Sequence, residues 1–133
     1  MKRTVIFRGK RPDDGRWVYG DLTNELRITV DADVRCLRVC HRDVDENTIG
    51  QFTGRHDKDG HPIYENDVLA VGYWRGIVAW DEKSLTWVIK VLNDPVLTLN
   101  LSDTDMGKCL VTGNIHEDKE VLTLLKELQD EKD

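Results

Sequence analysis

Apolar residues in this chain fall in short alternating runs rather than long helical stripes. Thr4 to Arg8 is the first, carried by Val5-Ile6-Phe7. Arg16 to Leu22, Arg27 to Val30 and Val34 to His41 follow, with Val, Ile and Leu alternating with Arg and Thr as half-buried strands do. Later come Asp67 to Tyr73, Ile77 to Trp80, Leu85 to Leu92, a Leu97/Leu99/Leu101 alternation, and Cys109 to Ile115. Turn residues separate them, among them Pro12 to Gly15, Trp74-Arg75-Gly76, Asp81 to Ser84 and Asn93-Asp94-Pro95. Strands with a turn every ~8–12 residues predict a mainly β fold, a small antiparallel barrel or sandwich rather than βαβ units.

One helix ends the chain. Asp118 is placed to cap it, Glu120 sits where the helix dipole favours negative charge, and Val121, Leu122, Leu125 and Leu128 form one stripe. About a dozen residues make a marginal helix alone, so the stripe must dock on the sheet or on another subunit.

The segment around which the rest is organised is Thr48 to Val71, TIGQFTGRHDKDGHPIYENDVLAV. Asp59-Gly60 predicts a tight type I′ hairpin turn. The same pattern occurs earlier: Phe7 to Tyr19 aligns without a gap on Phe52 to Tyr64, with Phe, Gly, Asp, Gly and Tyr identical at five of thirteen positions. Gly15 and Gly60 are therefore expected at positive φ, in similar turns. The polar connector Asp43 to Asn47 suggests a boundary: residues 1–47 as an N-terminal β-hairpin subdomain, and 48–133 as a small SH3-like β-barrel with the C-terminal helix. One continuous unit is the alternative.

FRGKR…DGRWVYGDL, TIGQFTG…KDGHPIYENDV, GIVAWDE and VTGNIHED, in that order, resemble the successive motifs of the YopX family, from Phe7 to about Leu125. Asn66 stands where that family usually has Gly, a substitution that still tolerates positive φ. His116 stands where it usually has Tyr, which removes an aromatic group. The resemblance implies a small phage or prophage protein and supplies no reaction.

Charge and composition narrow the choices. A net charge of −6 over 133 residues opposes non-specific binding to nucleic acid or anionic membrane. Basic residues concentrate at the start, six against two acidic in Met1 to Arg16; the last seventeen residues carry seven acidic and three basic. Solvated ends account for both. No apolar run nears the ~20 residues of a membrane helix, and basic residues interrupt the N-terminus before a signal-peptide core builds up. The expected location is the cytoplasm of a bacterial host.

Metal and catalytic patterns are weak. Asp57, Asp59, Glu65 and Asp67 cluster near the organising hairpin, but Asp57-Lys58-Asp59-Gly60 puts Gly at the fourth position of a calcium loop instead of the sixth. Turn chemistry explains the cluster better. Cys36 and Cys40, four apart on a strand, stand roughly 13 Å apart, too far to share a disulfide or zinc. With Cys109 they read as small buried apolar residues. His41, His56, His61 and His116 have no nucleophile motif beside them. No enzyme, cofactor or metal is expected.

Four tryptophans remain. Trp17, Trp80 and Trp87 fall in strands, where core packing is the ordinary role. Tyr73-Trp74-Arg75 falls in a turn and is the candidate partner-binding group. The leading expectation is a non-catalytic binding or regulatory module with a protein partner, or one that self-associates as a homo-oligomer. The alternative is a nucleic-acid accessory protein using Arg8, Lys10, Arg11 and Arg16.

Overall fold

The computed structural model describes residues 5–30, 40–92, 94 and 97–130; the side chains of 30, 40, 41, 124, 125 and 127–130 lie outside that description. The expected strand from Val34 and the thiol of Cys36 are likewise outside it. Among the described residues the fold is mainly β, with two antiparallel sheets and one α-helix. Two compact units divide after Gly54, within the strand Asp45–His56 in which the expected 47/48 boundary also falls.

The first unit contains β1 (Phe7–Lys10), β2 (Trp17–Leu22), β3 (Arg27–Val30), β4 (Cys40–Asp43) and the start of β5 (Asp45–His56), in the order β4-β3-β2-β1-β5. Asp43 to Asn47 is thus no connector; most of it is strand. Three strands separate β4 from β5 in this order, and Pro62–Tyr64 extends the same sheet beyond β5, yet only Val44 joins β4 to β5. One intervening residue spans at most ~7 Å, so the sheet curls to bring the end of β4 to the start of β5. Gly9 permits this: a Cβ there would lie 2.8 Å from Cβ of Val44. Thr48 secures the crossover, its Oγ1 accepting from Lys10 N–H at 2.8 Å and donating to the Asp45 carbonyl at 2.6 Å.

In the second unit, β6 (Pro62–Tyr64) leads into β7 (Asp67–Val71), β8 (Trp74–Asp81), β9 (Thr86–Val91), β10 (Thr98–Asn100) and β11 (Cys109–Asn114). Two 3-10 turns, Leu101–Asp103 and Met106–Lys108, precede β11, and α1 (Lys119–Asp130) follows it. The sheet order is β10-β9-β8-β7-β11. The expected barrel is corrected: neither sheet closes.

Two turns also differ from expectation. Val71 pairs with Trp74, so the β7–β8 turn is Gly72-Tyr73 rather than Trp74-Arg75-Gly76. Gly72 at φ +63 supplies the positive φ that a type II′ turn needs at its first central position. Gly76 lies within β8 for another reason: a Cβ there would come 2.9 Å from the Lys90 carbonyl. Asp57 N–H bonds the His61 carbonyl and Gly60 N–H the Asp57 carbonyl, while positive φ is confined to Gly60. The organising turn is therefore a three-residue loop ending in αL, not type I′.

Gly15 matches Gly60 in having positive φ, at +70 and +83. Its loop is one residue longer, closed by Arg11 N–H to the Arg16 carbonyl. The matched aromatics diverge, Tyr19 being half exposed and Tyr64 buried. The repeat is one of turn chemistry more than of environment.

Alternation sorts the second sheet's side chains between two faces. One face carries Leu69, Val78 and Ile89 against Ile63 and Leu101, with Trp74 and Trp87 at its margin. The other packs Val68 and Leu92 against Val121 of α1. Asp118 caps the helix as expected, its Oδ1 accepting from Val121 N–H at 3.1 Å. The stripe therefore docks on the sheet through Val121; the side chains of Leu125 and Leu128 are outside the described residues.

Candidate functional site

Tyr73-Trp74-Arg75 is split three ways by the β7–β8 hairpin. Tyr73 occupies the turn itself and is fully exposed. Trp74 begins β8, and its ring packs at the edge of the core face. Arg75, one position on, reaches the helix instead, with Nη2 3.3 Å from Glu120 Oε1. Its carbonyl accepts from Leu92 N–H at 2.9 Å. The exposed aromatic handle is thus Tyr73. Trp74 is chiefly a packing residue, because the pleat turns it inward where the turn residue cannot go.

Beyond this group, Trp80 and Trp87 stand directly opposite across β8 and β9. Their ring centroids lie 5.1 Å apart at an interplanar angle of 72°, the edge-to-face arrangement favoured by aromatic quadrupoles. Leu85 lies in the turn between those strands, 71% exposed and at φ +54. Leu26, in the β2–β3 turn, is also exposed at positive φ, +60. Both occupy a conformation where glycine is the favoured residue. Nothing in the apolar pattern marked either one.

The basic hairpin lies in the first unit. Lys10 pairs with Trp17 and Arg8 with Tyr19 across β1 and β2. The Arg8 guanidinium carbon sits 4.6 Å from the Trp17 ring centroid and Lys10 Nζ 5.8 Å from it, within cation–π range. Arg8 is buried. Arg11 is held by Asp13 at 3.0 Å and Asp14 at 3.3 Å. Arg16 is exposed. The structure brings Arg8 and Lys10 together over one indole, and occupies Arg11 with carboxylates; the four do not present a uniform cationic face.

The acidic cluster is structural where it is described. Asp57 has no exposed side-chain surface. Its Oδ1 accepts from the N–H groups of Asp59 (3.0 Å) and His61 (2.9 Å), and its Oδ2 from Val111 N–H at 2.9 Å. Burial pushes this carboxyl up, but the bonds from Val111, His61 and Asp59, with the nearby His61 ring, bring it below its ordinary value. Asp67, also buried, accepts from Tyr64 N–H at 2.7 Å. These bonds brace the 57–60 turn and the 65–66 turn.

Asn66 has φ +72, as its place in the turn requires. Its N–H donates to the Val78 carbonyl and its own carbonyl accepts from Ile115 N–H. Cys109 is a free, buried thiol donating toward the Asp105 carbonyl at 3.4 Å. Burial, then the Asp105 charge, push its pKa up, which suits an inert packing thiol. Among the described residues no group of His, Cys, Asp or Glu is arranged to hold a metal ion, and no helix is long and apolar enough to cross a membrane.

Comparison with known proteins places these features in a family. A family model described as YopX protein matches residues 6–123, most of the chain and parts of both units. No curated protein matches.

Proposed function

The chain belongs to the YopX family, and we propose that it is a non-catalytic binding or regulatory module encoded by a phage or prophage and acting in the bacterial host cytoplasm. Its partner is a protein, or a second copy of this chain. The observation that carries this reading is Tyr73: a large aromatic, fully exposed at the tip of a tight hairpin. The two-residue turn fixes its backbone, so little conformational entropy remains to be lost on binding. Tyr combines apolar area with a hydrogen-bonding hydroxyl, the combination enriched at interface centres.

An SH3-like connectivity in the second unit is part of the proposal. It is supported by a four-strand meander, β7 to β10, whose first strand also pairs with the last, β11, after two 3-10 turns.

The test compares wild type, Tyr73→Ala and Trp74→Ala by affinity capture from lysogenic cells and by analytical ultracentrifugation. Tyr73→Ala should leave the melt unchanged and abolish the captured partner or the self-association. Trp74→Ala should lower the melt, since it removes packing from the core face. Undiminished association by a folded Tyr73→Ala protein would remove the hairpin tip from the interface.

A further inference from the structure

The Val44 crossover leaves a second feature in the first unit. It carries the end of β4 beside the β1–β2 turn, where Arg11, Pro12, Asp13, Arg27, Arg42 and Asp43 line a cavity of about 260 Å³. Three guanidinium groups and two carboxylates share this space. Two of the arginines are held: Arg27 Nε lies 2.8 Å from Asp43 Oδ1, and Arg11 bonds Asp13 and Asp14. Arg42 is exposed and has no carboxylate partner among the described residues. A guanidinium at the wall of a cavity, with no carboxylate on it among the described residues, is a forked donor array for an oxyanion.

We propose that this cavity binds a small molecule bearing an oxyanion, a phosphate or a carboxylate, with Arg42 as its principal binding residue. Arg11 and Arg27 are neutralised by their aspartates and offer N–H donors rather than net charge, from positions held in advance, which reduces the ordering needed on binding. Size favours a small ligand. At about 260 Å³ the space lies just below the ~300–1,000 Å³ of drug-sized sites. The chain's net charge of −6 favours a small anion over an extended polyanion, which would be repelled by more of the surface.

The experiment titrates the full chain with inorganic phosphate and, separately, with acetate, followed by calorimetry and by amide chemical shifts of residues 11, 13, 42 and 43. Saturable binding confined to those residues is expected, weakened at least tenfold in Arg42→Gln at an unchanged melt. Arg42→Lys keeps the charge but loses the fork and should fall between the two. Tighter phosphate binding assigns a phosphate-bearing ligand, and tighter acetate binding a carboxylate. Absence of saturable binding by both anions, or equal affinity in wild type and Arg42→Gln, would overturn the proposal. So would an oligonucleotide that binds more tightly than phosphate with a steep salt dependence, which would reassign the cavity to nucleic acid.

Discussion

Replacing Asp57 probes the turn on which the second unit depends. Its carboxylate closes the hairpin onto Asp59 and His61 and ties the hairpin to β11 through Val111. Lys58 N–H adds a second link, to the Cys109 carbonyl at 3.0 Å. Hydrogen bonds to a charged group contribute about 1.5–3 kcal/mol each, and a buried donor left unmade costs about 1–3 kcal/mol. Asp59 and His61 are exposed, so water can replace the carboxylate at their N–H groups; Val111 is only partly exposed. Asp57→Ala should therefore cost about 3–4 kcal/mol. Asp57→Asn keeps one carbonyl acceptor for the turn but sets its amide donors against Val111 N–H, and should cost about 2–3 kcal/mol. Urea unfolding followed by fluorescence gives the free energies, with Trp74, Trp80 and Trp87 reporting on this unit, and hydrogen exchange at Val111 reports on the link itself.

The pH dependence follows with a definite sign. The folded carboxyl lies below its unfolded value of about 3.9. Its contribution is in full above that value and is lost as pH falls through the folded one. Wild type should lose stability in acid more steeply than Asp57→Asn. A loss under about 1 kcal/mol in Asp57→Ala, or identical acid limbs, would refute the bracing role.

Two further substitutions test the packing and the turns. Val121→Ala should destabilise the second unit by about 1.5–3 kcal/mol, because its fully buried side chain joins α1 to Val68 and Leu92; a denaturation midpoint unchanged from wild type would mean the helix does not depend on this contact. Leu85→Gly should stabilise by about 0.5–1 kcal/mol, since relief of an L-residue at positive φ outweighs the glycine entropy cost and the exposed side chain contributes little packing; a lower thermal midpoint would show that Leu85 makes a stabilising contact.

Much of the local structure was legible because period and turn chemistry are local. Val68-Leu69 and Trp87-Val88-Ile89 alternate between faces as their spacing requires, and Asp118 caps the helix it precedes. Gly15, Gly60 and Asn66 hold positive φ as their turns demand. Turn type was less legible, because Asp59-Gly60 is compatible with both a two-residue and a three-residue loop. The pairing of residues 57 and 61 decides between them. Tyr73 and Trp74 looked equivalent for the same reason: a shift of one residue in the turn reverses which side chain faces the core.

The sequence by itself determined a mainly β chain, the family motifs, the helix and its cap. Only the tertiary structure decided the curl at Val44, which depends on Gly9 lacking a Cβ thirty-five positions away. It alone placed Arg42 beside Arg11, and Val111 on Asp57. Each of those contacts joins residues far apart in sequence, where no local period or turn rule reaches; only the pairing order of the strands brings them together.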